Sequence, residues 1–340
     1  MFTDVTRQSS CPPLGFGVLG CADIAWRRTA PALAADPGVR LTAFASRSPE
    51  KGRRFAERFG DAAVTDYDAL LRRPDVDAVY IPLPAMLQAE WIERALTAGK
   101  HVFAEKPLST RAADTARLFA LAKERGVVLK ENAMFLHHSQ HTAVDRLLAD
   151  GAIGQLRGFS AAFTIPPLPE SNIRNHADLG AGALLDVAVY TVRAALRFLG
   201  PRLEVVGATL READGVVRSG SALLVTPEGV PAQLTFGMEH AYRTEYALTG
   251  STGRLRLDRA FTPPPGHQPV VDVTRQDHRE QITLPPDDQF ARIVAAFVRE
   301  VRGEAPAERA ASAAESQRVA ETIDALAARA VRTKAPGDVS

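Results

Sequence analysis

Residues 101–110 read "HVFAEKPLST". The apolar side chains of Val102, Phe103 and Ala104 run directly into a carboxylate, an ammonium and a proline at Glu105, Lys106 and Pro107. Charged side chains are seldom buried without a partner and proline has no ladder donor, so a strand ends here. In an open parallel sheet the carboxyl ends of the strands line the ligand crevice, which makes Lys106 a candidate for work on a ligand. Asp186 and Tyr190 in "LLDVAVY" stand one helical turn apart and project from one face of a helix. A tyrosine on an apolar helix is ordinarily a core residue with its hydroxyl satisfied. It serves as an acid only if its pKa, about 10 unperturbed, is lowered or if Lys106 relays the proton. "FLHHSQH" adds His137, His138 and His141, with His137 and His141 on one helical face. No carboxylate motif accompanies them, so we expect hydrogen bonds to hydroxyls and no metal.

Two further motifs hold rather than react. In "GVLGCADIAW" the residues Gly20, Cys21, Ala22, Asp23, Ile24 and Ala25 occupy a strand-to-helix turn, where backbone donors and the helix dipole receive a pyrophosphate. Ala22 stands in place of the second glycine of the usual fingerprint, and Ala25 is its small third residue. A turn that binds nothing is the alternative; its place in the first βα unit favours binding. The second strand, "VRLTAFAS", ends in Ser46, Arg47 and Ser48, with no carboxylate before Glu50 to take the ribose hydroxyls of NAD. A hydroxyl and a guanidinium suit the extra phosphate of NADP; for Arg47 the alternative is a solvated charge opening the next helix.

The elements that position these residues follow from periodicity. From Leu14 to about Phe135, the runs "LGFGVLG", "VRLTAFAS", "VDAVYIPLP", "HVFAEKP" and "GVVLKENAMF" alternate with helical patterns at 47–59, 86–98 and 110–125. That alternation predicts a parallel, doubly wound sheet. Beyond it come a helix near 139–150, a long run at 153–165, the Pro-rich "IPPLPESN", and a helix near 182–199. β-rich segments then fill 203–284, with "TPEG" turning between "SALLV" and "VPAQLTFGM", which predicts a mostly antiparallel sheet. Alanine-rich helices near 287–302 and 307–332 close the chain. The expected class is α/β: a flexible leader at 1–13, a Rossmann dinucleotide-binding domain at 14–135, and an α+β substrate and oligomerisation domain at 136–335 with a large open sheet.

Bulk properties narrow the partners. A chain of 340 residues is long enough for about two domains that bury roughly three quarters of their unfolded surface. Lys plus Arg number 41 against 40 Asp plus Glu, and no long basic run supplies the footprint of a nucleic-acid binder. Cys11 and Cys21 are too few for a disulfide framework or a zinc site. No apolar run approaches a membrane span, and "MFTDVTRQSSCPP" lacks the build of a signal peptide. We expect a soluble cytoplasmic protein with neither nucleic acid nor membrane as partner.

"GCADIA", "YIPLPAMLQAEW", "AEKP" and "AGALLDVAVY" together make the chain resemble the Gfo/Idh/MocA oxidoreductases from Leu14 onward. Within that family "GCADIAWRR", "AEWIERAL", "MFLHH", "AAFTIPP" and "QLTFGMEHAY" make it most similar to nucleotide-sugar C-3 ketoreductases of bacterial deoxysugar pathways. The resemblance implies that Lys106 lies beside the nicotinamide and the reacting carbon. An ammonium there would stabilise the negative charge that grows on a ketone oxygen accepting hydride. Glu105 and Pro107 would position the lysine, and Tyr190, where many relatives carry histidine, would give the proton beside Asp186. NADPH would be held by Gly20, Cys21, Ala22, Asp23, Ile24, Ser46, Arg47, Leu83, Glu105 and Lys106. The implied substrate is a dTDP-linked 4-keto-6-deoxy sugar meeting Lys106, Asp186, Tyr190, His137 and Arg174, with Arg193 a second candidate for its diphosphate. Gln88 stands where relatives commonly have histidine, so a sugar or ribose contact there is expected to differ. A homodimer or homotetramer through the C-terminal sheet is also implied. Two other readings remain: an oxidising sugar or polyol dehydrogenase, and a sugar or nucleotide sensor without turnover.

Overall fold

Six short strands, β1 (Leu14–Leu19), β2 (Val39–Ala45), β3 (Ala62–Val64), β4 (Ala78–Ile81), β5 (His101–Ala104) and β6 (Leu129–Glu131), form a parallel sheet ordered β3-β2-β1-β4-β5-β6. Every residue of β4 is buried, as a strand covered on both faces requires. The helices α1 (Ala30–Ala35), α2 (Pro49–Phe59), α3 (Tyr67–Leu71), α4 (Ala85–Thr97) and α5 (Ala112–Glu124) connect the strands. α2 begins where its sequence says it should: Ser48 accepts a hydrogen bond from the Lys51 amide and Pro49 takes the first turn. The strand order reverses between β1 and β4, which opens a crevice beyond their carboxyl ends. β3 is too short to show a period and was not expected. The structure, a computed structural model, describes residues 11–180 and 182–334; the first ten residues of the expected leader lie outside the described residues.

The second sheet has nine strands: β7 (Leu156–Thr164), β8 (Glu204–Ala213), β9 (Val216–Val225), β10 (Pro231–Gly237), β11 (Arg243–Gly250), β12 (Gly253–Asp258), β13 (Val270–Arg275), β14 (His278–Thr283) and β15 (Ala330–Lys334). Their order is β14-β13-β12-β11-β7-β10-β9-β8-β15, parallel at the β7–β10 and β8–β15 pairs and antiparallel elsewhere. The "TPEG" turn closes with Thr226 N donating to Val230 O at 3.0 Å. Four of its helices are α6 (Ser139–Ala149), α7 (Ala183–Asp186), α8 (Ala188–Leu199) and α9 (Gln289–Val301), and the last is α10 (Pro306–Arg329). The expected helix at 307–332 stops early: Ala330 turns extended, and "AVRTK" pairs with β8, whose open edge suits the β-branched Val331 and Thr333.

Chain order assigns α9 to the second unit, but it covers the first sheet. Phe297 sets its ring 5.6 Å from Phe16 and 5.4 Å from Phe103. The stretch Ala177–Leu199 is long and apolar enough to cross a bilayer by composition alone, yet 76% of its apolar window is buried inside the fold. Its main helix, α8, packs against β7, β10 and α10.

Candidate active site

A cleft of about 540 Å³ opens where the ends of β1, β4 and β5 face α7, α8 and the segment 165–180. Lys106 reaches it from the turn after β5, through a cis Lys106–Pro107 peptide. That turn is fastened from behind. Glu105 Oε1 accepts from the Tyr80 hydroxyl at 2.7 Å and from Asn132 Nδ2 at 2.6 Å, while Gln88 Nε2 donates to the Glu105 carbonyl at 2.8 Å. Gln88 is fully buried, so the residue expected near a sugar or ribose is instead a prop for the lysine's own turn.

Across the cleft, Asp186 gathers two cations. Lys106 Nζ donates to Asp186 Oδ1 at 2.5 Å and to its carbonyl at 2.8 Å, and Arg174 Nε donates to Oδ2 at 2.5 Å. Burial works to raise the Asp186 carboxyl, but Lys106 and Arg174 overcome it and hold the group well below the usual carboxylate range. In return, although burial opposes the charge on Lys106, Asp186 raises the ammonium above its ordinary value. Two of the three Lys106 N–H bonds are committed, and the third is available to an oxygen in the cleft.

The single helix expected near 182–199 is broken at Val187, so Asp186 ends α7 and Tyr190 stands in the first turn of α8, with Lys106 Nζ 5.2 Å from its ring centroid. Phe135, Phe163 and Phe261 pack round the ring, with Phe163 at 4.9 Å. Among the described residues its hydroxyl meets only the Met134 sulfur at 3.9 Å, a weak acceptor. Of the two conditions under which this tyrosine would serve as an acid, a lowered pKa is not met. Burial outweighs the pull of Lys106 and pushes Tyr190 up to about 12.

The cofactor end lies at the carboxyl ends of β1 and β2. Gly20 has φ +114°, and a Cβ there would meet Leu83 Cδ2 at 2.8 Å, so only glycine lets the turn pass. Ala22, Asp23, Ile24 and Leu83 line the cleft. Cys21 Sγ points to the Ala45 carbonyl, and burial raises the thiol to about 11 against the opposing influence of Ser46 and Lys51. Ser46 is buried at the end of β2, and Arg47, exposed beside it, opposes the burial that raises the Tyr67 phenol. A glycine-only turn, followed by a strand end that offers hydroxyls and cations but no carboxylate before Glu50, fits a dinucleotide with an extra phosphate.

Of the expected cofactor contacts, Gly20, Cys21, Ser46 and Arg47 stand at the ends of β1 and β2 outside the cleft lining, and two of the expected substrate contacts are not brought to the cleft. His137 does not line it; half-buried near Lys130 and Arg299, it is depressed to about 3 by desolvation and by those cations. Arg193 is sealed, its guanidinium donating to Glu131 Oε2 at 2.7 Å and Glu315 Oε2 at 3.0 Å, so no diphosphate reaches it. His138 caps α6 and His141 bonds the Tyr246 hydroxyl at 3.0 Å, both within the fold. Conversely, Arg28, Met134, Gln289 and Phe290 line the cleft and were not singled out. Arg28 comes from a π turn at Ala25–Thr29, a local irregularity that carries no sequence signal.

The oxidoreductase family model described as GFO_IDH_MocA, NAD-binding Rossmann fold, matches residues 14–133, and the GFO/IDH/MocA C-terminal domain model matches residues 141–256. The chain is 57% identical over 323 residues to a dTDP-3,4-didehydro-2,6-dideoxy-alpha-D-glucose 3-reductase of Actinomadura kijaniata, covering 94% of this chain and 96% of the relative. A reductase of the same name from Streptomyces antibioticus is 53% identical, over 93% of this chain and 97% of its own. The solved 3-ketoreductase of Actinomadura kijaniata, in complex with NADP and TDP-benzene, superposes with a TM-score of 0.92 at 55% identity, covering 95% of this chain and all of that one. That enzyme has also been solved with a lysine and with a tyrosine replaced, at positions spaced as Lys106 and Tyr190 are spaced here. The chain belongs to the GFO/IDH/MocA oxidoreductase family.

Proposed function

We propose that the protein is an NADPH-dependent ketoreductase acting on C-3 of a dTDP-linked 3,4-diketo-2,6-dideoxy sugar. The observation that carries this is the convergence of Asp186 and Tyr190 on the Lys106 ammonium in a cleft whose other end fits NADP. The Gly20 turn and Leu83 would hold the pyrophosphate end of the cofactor, and Ser46 and Arg47 its extra phosphate. NADPH supplies the hydride to the ketone carbon. Lys106, kept charged by Asp186, turns its third N–H to the ketone oxygen and stabilises the negative charge that develops there.

Tyr190 then gives its proton to the alkoxide oxygen. A phenol held at about 12 is fully protonated at neutral pH, and an alkoxide is a far stronger base, so the transfer runs downhill. Lys106, beside the ring, stabilises the phenolate left behind. Arg174 keeps Asp186 ionised and faces the sugar from the second wall. The test is NADPH oxidation with the dTDP-linked 3-keto sugar and NMR of the product; cofactor binding without turnover would sink this reading and leave a sensor.

We also propose that copies associate through the outer face of the second sheet, where Val206, Leu223 and Val331 are exposed. A stable monomer at micromolar concentration in light scattering would refute it. The free thiols of Cys11 and Cys21 suit a reducing compartment, and we place the enzyme in the cytoplasm.

A further inference from the structure

Three consecutive side chains where β6 ends are polar and buried: Lys130, Glu131 and Asn132. Buried polar groups need partners, and each of these finds a different one. Lys130 Nζ donates to Glu300 Oε1 on α9 at 2.6 Å. Glu131 Oε2 accepts from Arg193 Nη2 on α8 at 2.7 Å. Asn132 Nδ2 donates to Glu105 Oε1, beside the reacting lysine, at 2.6 Å. Both ion pairs are sealed, with side chains no more than 4% exposed. They differ in what lies beyond them. Arg193 is three residues, nearly one turn, from Tyr190 on α8, whereas Glu300 sits near the end of α9, ten residues beyond Phe290, which lines the cleft.

An unbroken track therefore runs from one half of the site to the other behind the cleft. It passes from Lys106 to Glu105, across to Asn132, back one residue to Glu131, across to Arg193 and along α8 to Tyr190. The planar guanidinium of Arg193 also reaches Glu315 on α10 at 3.0 Å, so its orientation is fixed from two sides. We propose that the Glu131–Arg193 pair is a positioning device for the proton donor: it locks α8 to the end of β6 and so sets the separation of the Tyr190 hydroxyl from Lys106. Arg193 and Glu131 touch neither substrate nor cofactor; they act through Tyr190. The inference rests on Tyr190 giving the proton, as proposed above.

The adjacent pair supplies the control, because it is as deeply buried and borne by the same strand. Removing one member alone would strand a buried charge and threaten the fold, so the pairs are neutralised together, and Glu315, whose side chain is 26% exposed, is left to solvent. Glu131→Gln/Arg193→Met and Lys130→Met/Glu300→Gln are compared with wild type in melting temperature, NADPH titration and single-turnover NADPH oxidation with saturating dTDP-linked 3-keto sugar. The first pair should slow the single-turnover step by about tenfold or more while NADPH affinity stays within about twofold, since small misplacement of a reacting group is costly. The second should melt lower yet keep the wild-type rate within about twofold. Arg193→Lys, which keeps the charge but not both contacts, should fall between.

A wild-type rate in Glu131→Gln/Arg193→Met, or an equal loss in the control pair, would overturn the proposal. Should the double variant fail to fold, Glu131→Asp retracts the carboxylate by one methylene and should slow the same step about threefold; an unchanged rate there overturns it equally. Wild type that binds NADPH without turning over the sugar would instead defeat the reading of the reaction.

Discussion

The two walls of the cleft are built by different means. On the wall formed by the parallel sheet, Glu105 beside the reacting lysine has three hydrogen bonds from Tyr80, Asn132 and Gln88, each of these donors fully buried. On the facing wall, Arg174 is 43% exposed and sits on a 3-10 turn in the proline-rich segment, tethered by its bond to Asp186. Exposed contacts are individually weak, whereas sealed hydrogen bonds are costly to break. The first wall is thus a rigid platform for hydride and charge, whereas on the second the Arg174 segment, unlike the α8 that Arg193 locks, is an adjustable surface that can answer to the shape of one sugar nucleotide.

The comparison is sharpened most by removing the ammonium. Lys106→Ala should cut turnover by about 10² to 10⁴ while NADPH still binds, since the Gly20 turn and the Arg47 region hold the cofactor. Tyr190→Phe should lose less, about 10 to 10², and the double variant less than the product of the two, as groups working as a unit do. Near-normal single-turnover rates in folded Lys106→Ala would mean that the rigid wall is not the reacting one.

The adjustable wall should fail differently. Arg174→Ala should raise KM for the dTDP-sugar about tenfold, or roughly 1.4 kcal/mol, with NADPH affinity unchanged and turnover reduced less. Loss of turnover with KM intact would assign Arg174 to the chemistry instead. At the far end of the rigid wall, NADPH should be preferred over NADH by about tenfold in kcat/KM, and Arg47→Asp should erase or reverse that. A wild-type preference for NADH would remove Ser46 and Arg47 from the phosphate role.

What could be read from the chain tracks this same division. Lys106 was legible because proline and two charges punctuate an apolar run, and Asp186 and Tyr190 because helical spacing suggests one side, although the helix breaks at Val187 between them. The alternation of strands and helices up to Phe135 was local and periodic, so most of the parallel sheet could be read directly. β3 and β15 were not, since three residues show no period and an edge strand is recruited by a partner far away in sequence. The same holds for Gln88, Asn132 and Arg193. Each is an ordinary polar residue until folding brings it a partner 17, 27 or 62 positions away. His137 and Arg193 misled for the converse reason: a suitable residue type near a motif says nothing about which face of the chain the cleft will open on.

The smallest expected effect is an absence of change, and it tests the electrostatics of both walls together. Lys106 is raised by Asp186, so it stays charged as pH climbs through the ordinary ammonium range of about 10.4. Tyr190 is raised by burial to about 12, so it also keeps its proton there. Asp186 is depressed by its two cations, so it stays ionised below the ordinary carboxylate range of about 4. The single-turnover rate should therefore be flat from about pH 6 to about pH 10, without the limb near neutrality that a histidine acid would impose. Stability carries the complementary sign. A tyrosine raised in the fold contributes stability that is intact below the unfolded value of about 10 and is lost as pH climbs through the folded value of about 12, because only the unfolded chain ionises in between. Over the last stretch of alkaline pH the melting temperature should thus fall faster in wild type than in Tyr190→Phe, while the wild-type rate still holds. A descending limb in the rate near pH 7 would show that some other group gives the proton, and would leave Tyr190 as one more ring in the aromatic packing of α8.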